Sequence, residues 1–249
     1  MFKLELSDVD LLKESIPIIA EIIDEGVFKV DKNGMSLLTP DRSMVAVVDF
    51  KLLSTAFDDF KVEADASLGL NLANLVAILK RVKGTDKMVL ESDEKSNRLK
   101  ITIKGNGVRV FELPLIEIKT ENPPINQLNF NSRIELQSEV FDEGIADADV
   151  IGDSVILEAG DKKFRMYAKG DISSTELAIE EKDKGLLGIK TSGSIKARYP
   201  LEYLKKMVKM GRLSKNLVLE FGTDYPMRIS FASLDKMSLR FVLAPRVEE

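Results

Sequence analysis

The sequence predicts an α+β protein of two similar domains, each a set of antiparallel strands backed by two amphipathic helices. Three observations lead there. A succession of helix, polar turn and strand occurs twice, at a constant spacing of 129 residues. Between the helices, apolar and polar residues alternate with the two-residue period of strands. A polar stretch holding Pro123 and Pro124 separates the halves, where neither a helix nor a central strand can run.

The repeat is read residue against residue. Leu75-Val76-Ala77-Ile78-Leu79-Lys80 falls on Leu204-Lys205-Lys206-Met207-Val208-Lys209, and Met88-Val89-Leu90-Glu91 falls on Leu217-Val218-Leu219-Glu220. Phe111-Glu112-Leu113-Pro114 and Phe241-Val242-Leu243-Ala244-Pro245 close the two halves. The first helix of each half is expected over residues 8–23 and 138–148. Pro17 sits inside the first of these among Leu11, Leu12, Ser15, Ile16, Ile19 and Ile23. A proline there removes a backbone hydrogen bond at a cost of about 3 kcal/mol, which predicts a kink or two short helices. Val27–Val30 and Met35–Leu38 flank Asp31-Lys32-Asn33-Gly34 as a hairpin, continued by residues 45–50. Residues 154–158, 163–168 and 175–180 do the same in the second half. The predicted domains are 1–118 and 130–249, joined by an extended linker at 119–129.

Composition narrows the function. Of 249 residues, 44% are hydrophobic and 31% charged, the balance of a globular chain. No apolar run approaches a membrane span, so no membrane partner is expected. The first residues lack a secretory pattern, and a cytoplasmic location is expected. Cysteine and histidine are both absent. That excludes disulfides and Ser-His or Cys-His nucleophile pairs, and it removes most zinc and iron ligands, so neither metal nor cofactor is expected. Lys104-Gly105-Asn106-Gly107 and Gly185-Leu186-Leu187-Gly188 lack the Gly-Lys-Ser/Thr ending of a phosphate loop. Carboxylate pairs such as Asp58/Asp59 or Asp147/Asp149 leave a hydrolase as a remote alternative.

The net charge of −5 argues in bulk against a nucleic-acid partner but is silent on distribution. On the helix of residues 75–82 the apolar stripe Leu75, Ile78, Leu79 and Val82 leaves Lys80 on or near the polar face. On residues 204–210 the stripe Leu204, Met207 and Val208 leaves Lys205, Lys206 and Lys209 outside, and Lys13 lies on the polar side of the first helix. Such lysines either solvate a helix face or neutralise phosphates without reading bases. Glu139, Glu143 and Asp147 recur at i, i+4 and i+8, where like charges repel unless something basic lies opposite. Arg81, Lys83 and Arg109 are the candidates, with open water as the alternative.

Several segments carry a family resemblance: Asn33-Gly34 leading to Asp41-Arg42-Ser43-Met44-Val45, Gly69-Leu70-Asn71-Leu72, Leu113-Pro114-Leu115-Ile116-Glu117, and Asp224-Tyr225-Pro226-Met227. The closing Leu243-Ala244-Pro245-Arg246-Val247-Glu248 is the most specific. In this order and spacing, over its whole length, the chain resembles the archaeal sliding clamps of the proliferating cell nuclear antigen family. The resemblance implies a DNA clamp fold and a ring-shaped head-to-tail trimer, with helices lining a central hole and antiparallel sheets outside. It implies no catalysis. The ring would encircle duplex DNA without sequence preference, associated with the nucleoid, as a processivity factor in replication and repair.

The resemblance also assigns residues. It places Lys13, Lys80 and Lys209 toward DNA, and Lys205 and Lys206 are grouped with them; Glu14, Ala20 and Ala77 stand where relatives are often basic. It pairs Arg81, Lys83 and Arg109 with Glu139, Glu143 and Asp147 across a subunit boundary. There the strand of residues 107–113, with Phe111, adds to residues 173–179, with Thr175 and Leu177. It gathers Met44, Val45, Val47, Ile125, Phe130, Tyr225, Pro226, Val242, Leu243, Ala244 and Pro245 into an apolar cleft rimmed by Pro40 and Val247; singly, these read as core or turn residues. Clients would dock there through a glutamine, an aliphatic residue and two aromatics: replicative DNA polymerase, clamp loader, flap endonuclease and DNA ligase. A subunit of a heterotrimer, or a divergent paralogue, is the second reading.

Overall fold

The protein is described by a computed structural model over residues 1–92, 97–119, 123–160 and 162–246. The chain divides into two units. The first comprises Met1–Arg42, Val48–Pro123 and Ala232–Leu239, and the second Ser43–Val47, Pro124–Phe231 and Arg240–Glu249.

In the first unit the order is β1 (Phe2–Leu6), α1 (Asp10–Ala20), β2 (Glu25–Asp31), β3 (Gly34–Pro40), β4 (Ala46–Leu53), β5 (Asp59–Val62), β6 (Ala66–Asn71), α2 (Leu72–Leu79), β7 (Lys87–Ser92), β8 (Arg98–Lys104) and β9 (Val108–Pro114). Hydrogen-bonded neighbours run β5-β1-β7-β8-β9 in one sheet and β4-β3-β2-β6 in another. The β2–β3 pairing sets Val30 opposite Met35, as the hairpin pattern predicts, and continues into the expected turn by setting Asp31 opposite Gly34. Gly34 turns the chain at φ +145, and a Cβ on it would come within 2.1 Å of the Leu52 carbonyl oxygen, so no other residue fits. Apolar residues at every second position of these strands meet α1 and α2 in one core, where Phe2, Leu12, Phe28, Leu70, Leu79 and Leu90 converge.

The second unit repeats the plan: β10 (Ser132–Gln137), α3 (Ser138–Ile151), β11 (Ser154–Gly160), β12 (Lys163–Lys169), β13 (Ser174–Glu180), β14 (Leu186–Thr191), β15 (Ile195–Pro200), α4 (Leu201–Met207), β16 (Asn216–Phe221), β17 (Met227–Ser233) and β18 (Met237–Leu243). The neighbour orders β14-β10-β16-β17-β18 and β13-β12-β11-β15 reproduce those of the first unit strand for strand. Phe164 and Tyr199 both meet the Phe221 ring edge-on, at 6.5 and 6.4 Å between centroids, and all three are buried. Burying such a ring stabilises by roughly 1.5–3 kcal/mol relative to leaving it in water. Gly144 lets α3 lie close on its sheet: a Cβ there would meet the Met166 sulfur at 2.7 Å.

Four expectations change in detail. Pro17 lies within a single helix, α1, rather than dividing it into two; Ser15 Oγ donates to the Leu11 carbonyl in the preceding turn. α3 runs to Ile151, one turn beyond the expected end. The segment after Pro124 is not fully extended, because Ile125–Gln127 forms a 3-10 turn that buries Ile125. Finally, α4 ends at Met207 and continues as a 3-10 turn, Val208–Arg212, so Lys209 is not on the α-helix proper.

Candidate functional site

The helices of each unit pack against one another, α1 on α2 and α3 on α4, and each buries one stripe. In α2, Leu72, Leu75, Ile78 and Leu79 are buried, and the Asn71 side chain caps the first turn by accepting from the Asn74 N–H at 3.1 Å. Burial of that stripe leaves Ala73, Asn74, Ala77 and Lys80 exposed. In α1, Lys13 is half-buried and lies 3.7 Å from Asp10. In the second unit Lys205 pairs with Asp149 at 2.9 Å, and the Lys206 ammonium sits 5.5 Å from the Tyr203 ring centroid. Lys209 is exposed on the turn after α4. The five expected lysines thus occupy helix faces or ends clear of the apolar stripe, with nearby carboxylates offsetting Lys13 and Lys205.

Glu139, Glu143 and Asp147 form one exposed stripe on α3, and none has a basic partner among the described residues. β9 and β13 are sheet-edge strands with the same pattern of partial burial. On β9, Arg109, Phe111 and Leu113 point inward while Val108 and Val110 are 71% and 53% exposed. On β13, Thr175, Leu177 and Ile179 point inward, and Leu177 approaches Gly144 of α3. An edge strand carries a row of N–H and C=O groups that a further strand can complete. Of the three cations expected opposite the acidic stripe, Arg81 and Lys83 are exposed. Arg109 is committed within its own unit: it contacts Asp86, which is buried, at 2.6 Å and donates to the Arg81 carbonyl at 2.9 Å.

The residues expected in the apolar cleft lie in the second unit, except Pro40, which ends β3 in the first. Phe130 meets Tyr225 edge-on at 6.1 Å, and the Arg228 guanidinium lies 4.7 Å above the Phe130 ring. The Tyr199 hydroxyl donates to the Tyr225 carbonyl at 2.8 Å, fixing the turn before Pro226; burial pushes this phenol's pKa up. The Ala244 N–H donates to the Val45 carbonyl at 2.9 Å, so the closing segment is tied beside Met44, Val45 and Val47. Met44 is 59% exposed and adopts φ 57. Val45, Val47, Pro226, Ala244 and Pro245 are half-buried, whereas Val242 and Leu243 are buried. Val247 lies outside the described residues.

One feature of this unit escaped the sequence reading. A pocket of about 340 Å³ is lined by Ile156, Lys196, Ala197, Arg198, Thr223, Asp224 and Arg246. Arg246 closes it: its N–H donates to the Arg198 carbonyl at 2.7 Å, and its guanidinium pairs with Asp153. The hydrogen bond from Arg246 holds the Asp153 carboxyl below its ordinary pKa. These residues come from four separate segments, and only the alternation of Lys196 and Arg198 on one strand hinted at a shared face.

Residues 1–122 match the profile of the proliferating cell nuclear antigen N-terminal domain, and residues 124–246 match that of its C-terminal domain. The chain belongs to this family. It is 34% identical over 230 residues to the DNA polymerase sliding clamp of Pyrococcus furiosus, covering 92% of each chain. It is likewise 34% identical over 243 residues to DNA polymerase sliding clamp 1 of Thermococcus kodakarensis, covering 96% of this chain and 97% of that one. Among solved structures, proliferating cell nuclear antigen from Thermococcus kodakaraensis superimposes with a TM-score of 0.92 at 24% identity, over 99% of this chain and 100% of that one, a likeness of fold. A chain of the PCNA2–PCNA3 complex from Sulfolobus tokodaii gives a TM-score of 0.90 at 26% identity, over 99% and 100% of the two chains. Both family halves therefore coincide with the internal repeat. No helix among the described residues is long and apolar enough to cross a membrane.

Proposed function

We propose that the chain is a sliding clamp: a subunit of a ring-shaped trimer that encircles duplex DNA and tethers DNA polymerase and other replication and repair proteins to it. The observation that carries this reading is the pair of like-patterned edge strands, β9 on one repeat and β13 on the other. Head-to-tail addition of β9 to the β13 of a neighbour joins unlike edges, and three such joints close a ring of six similar units. Residues 119–129 serve as the connection between the two units of a chain.

The ring performs no chemistry. Its retention on DNA is topological, so strong contacts are unnecessary and an acidic protein can do the work. Lys13, Lys80, Lys205, Lys206 and Lys209 give mobile, sequence-independent contacts to phosphates, which suits sliding. The cleft around Ile125, Phe130, Tyr225 and Pro245 receives a short client motif of a glutamine, an aliphatic residue and two aromatics. Polymerase, clamp loader, flap endonuclease and ligase compete for it, and the loader opens the ring using ATP.

Sedimentation of the purified chain should give a mass three times that of the subunit. With a loader and a polymerase, the chain should lengthen products on primed circular DNA. A persistent monomer that leaves synthesis unchanged would refute the proposal. The likeness to a chain of the PCNA2–PCNA3 complex favours one second reading, a heterotrimer subunit, under which the chain completes a ring only when mixed with sister subunits.

A further inference from the structure

The pocket beside the closing segment carries charge that an apolar client motif does not use. Lys196, Arg198 and Arg246 contribute three cations to its wall, against Asp224 in the lining and Asp153 behind Arg246. Lys196 is exposed, and its ammonium lies 5.9 Å from the Tyr167 ring centroid. Its cross-strand neighbour Glu158 is held by other groups: Arg165 contacts it at 3.0 Å and the Tyr167 hydroxyl lies at 3.4 Å. No carboxylate among the described residues pairs with Lys196. Along the chain the pocket is continuous with the cleft, since Asp224 precedes Tyr225 and Arg246 follows Pro245.

We propose that this pocket receives an acidic side chain of the client peptide, flanking the apolar residues that fill the cleft, with Lys196 as its principal partner. The proposal rests on the clamp reading and narrows it: clients with an aspartate or glutamate in the flank are preferred over clients with lysine there. Pocket volume suits the assignment, because about 340 Å³ accommodates a carboxylate with accompanying water. Arg246, already tied to Asp153 and to the Arg198 carbonyl, sets the pocket's shape, while Lys196 is left to meet the ligand. Charge complementarity at a partly exposed site discriminates between partners more than it adds affinity.

The test uses one client peptide core, glutamine–aliphatic–two aromatics, made with aspartates, serines or lysines on either flank. Calorimetry on the whole protein at about 50 mM salt should give three- to tenfold tighter binding for one acidic-flank peptide than for its lysine counterpart, the scale of one or two exposed charge pairs. Lys196→Glu should invert that order, Lys196→Gln should flatten it, and neither should change the sedimenting mass. Equal affinities across the flanks would overturn the proposal while leaving peptide docking intact. An acidic preference that survives Lys196→Glu would overturn it too, because the discriminating charge would then lie elsewhere. Failure of every peptide to bind would overturn both this proposal and the reading beneath it.

Discussion

Replacing Arg109 by glutamine separates two roles that the sequence alone cannot. Asp86 is 4% exposed, and its carboxylate accepts from Arg109 at 2.6 Å and from the Lys83 N–H at 3.0 Å. Removing one partner of a fully buried ion pair costs about 3–5 kcal/mol, whereas an exposed pair is worth about 0–1 kcal/mol. The Arg109 side chain is 38% exposed, and Asp86 keeps one donor in the variant, so the loss should be about 2 kcal/mol. For a chain of this size, that lowers the melting temperature by about 4–8 °C. Circular dichroism melts at several protein concentrations provide the assay, alongside sedimentation. If Arg109 stabilises its own subunit, the drop is the same at every concentration, and a double-mutant cycle with Asp86→Asn shows coupling. An unchanged melt combined with weaker trimer association would refute this reasoning and return Arg109 to the seam.

Three further outcomes are expected. Reversing charge at Lys80 and Lys209 should cut clamp-dependent DNA synthesis severalfold with the trimer intact, a deficit that grows with salt as the remaining phosphate contacts are screened; unchanged synthesis across salt would remove both residues from the DNA-facing set. Placing glutamate at Ile125, which is 7% exposed, should abolish calorimetric binding of the client peptide without changing the sedimenting mass. The Asp153–Arg246 contact should be sensitive to acid: with the folded pKa of Asp153 depressed, its contribution is full above about pH 4 and is lost as pH falls through the folded value. Protease cleavage near Arg246 should therefore rise below that pH in the wild type, while Asp153→Asn should be cleaved readily throughout.

The repeat was legible because both halves obey the same two periods, three to four residues on the helices and two on the strands. The spacing of 129 residues relates α2 to α4 and β7 to β16. What the pattern could not show depends on contacts distant in sequence. Ser43–Val47 joins the second unit and Ala232–Leu239 the first, although hydropathy along those stretches is ordinary for strands and turns. Arg109 looked free for a neighbour because its partner, Asp86, is 23 residues away and buried only by the fold. The cationic pocket draws on residues 156, 196–198, 223–224 and 246, a set with no local signature. Pro17 misled in the opposite direction: a local rule argued for a break, but Leu11, Leu12, Ile16 and Ile19 are all buried, and that anchorage outweighs the missing backbone bond.

Two unlike strand margins on a single molecule make assembly a matter of angle. A joint between different surfaces can be repeated without limit, and only the rotation it imposes decides whether the third copy meets the first or a fourth is recruited. Substitutions that alter how β9 or β13 leans, such as a bulky residue at Gly144 pushing α3 away from Leu177, would then yield open spirals or filaments instead of discrete particles. For a protein whose hold on its track is enclosure, that loss of closure abolishes the activity even when every subunit is correctly folded.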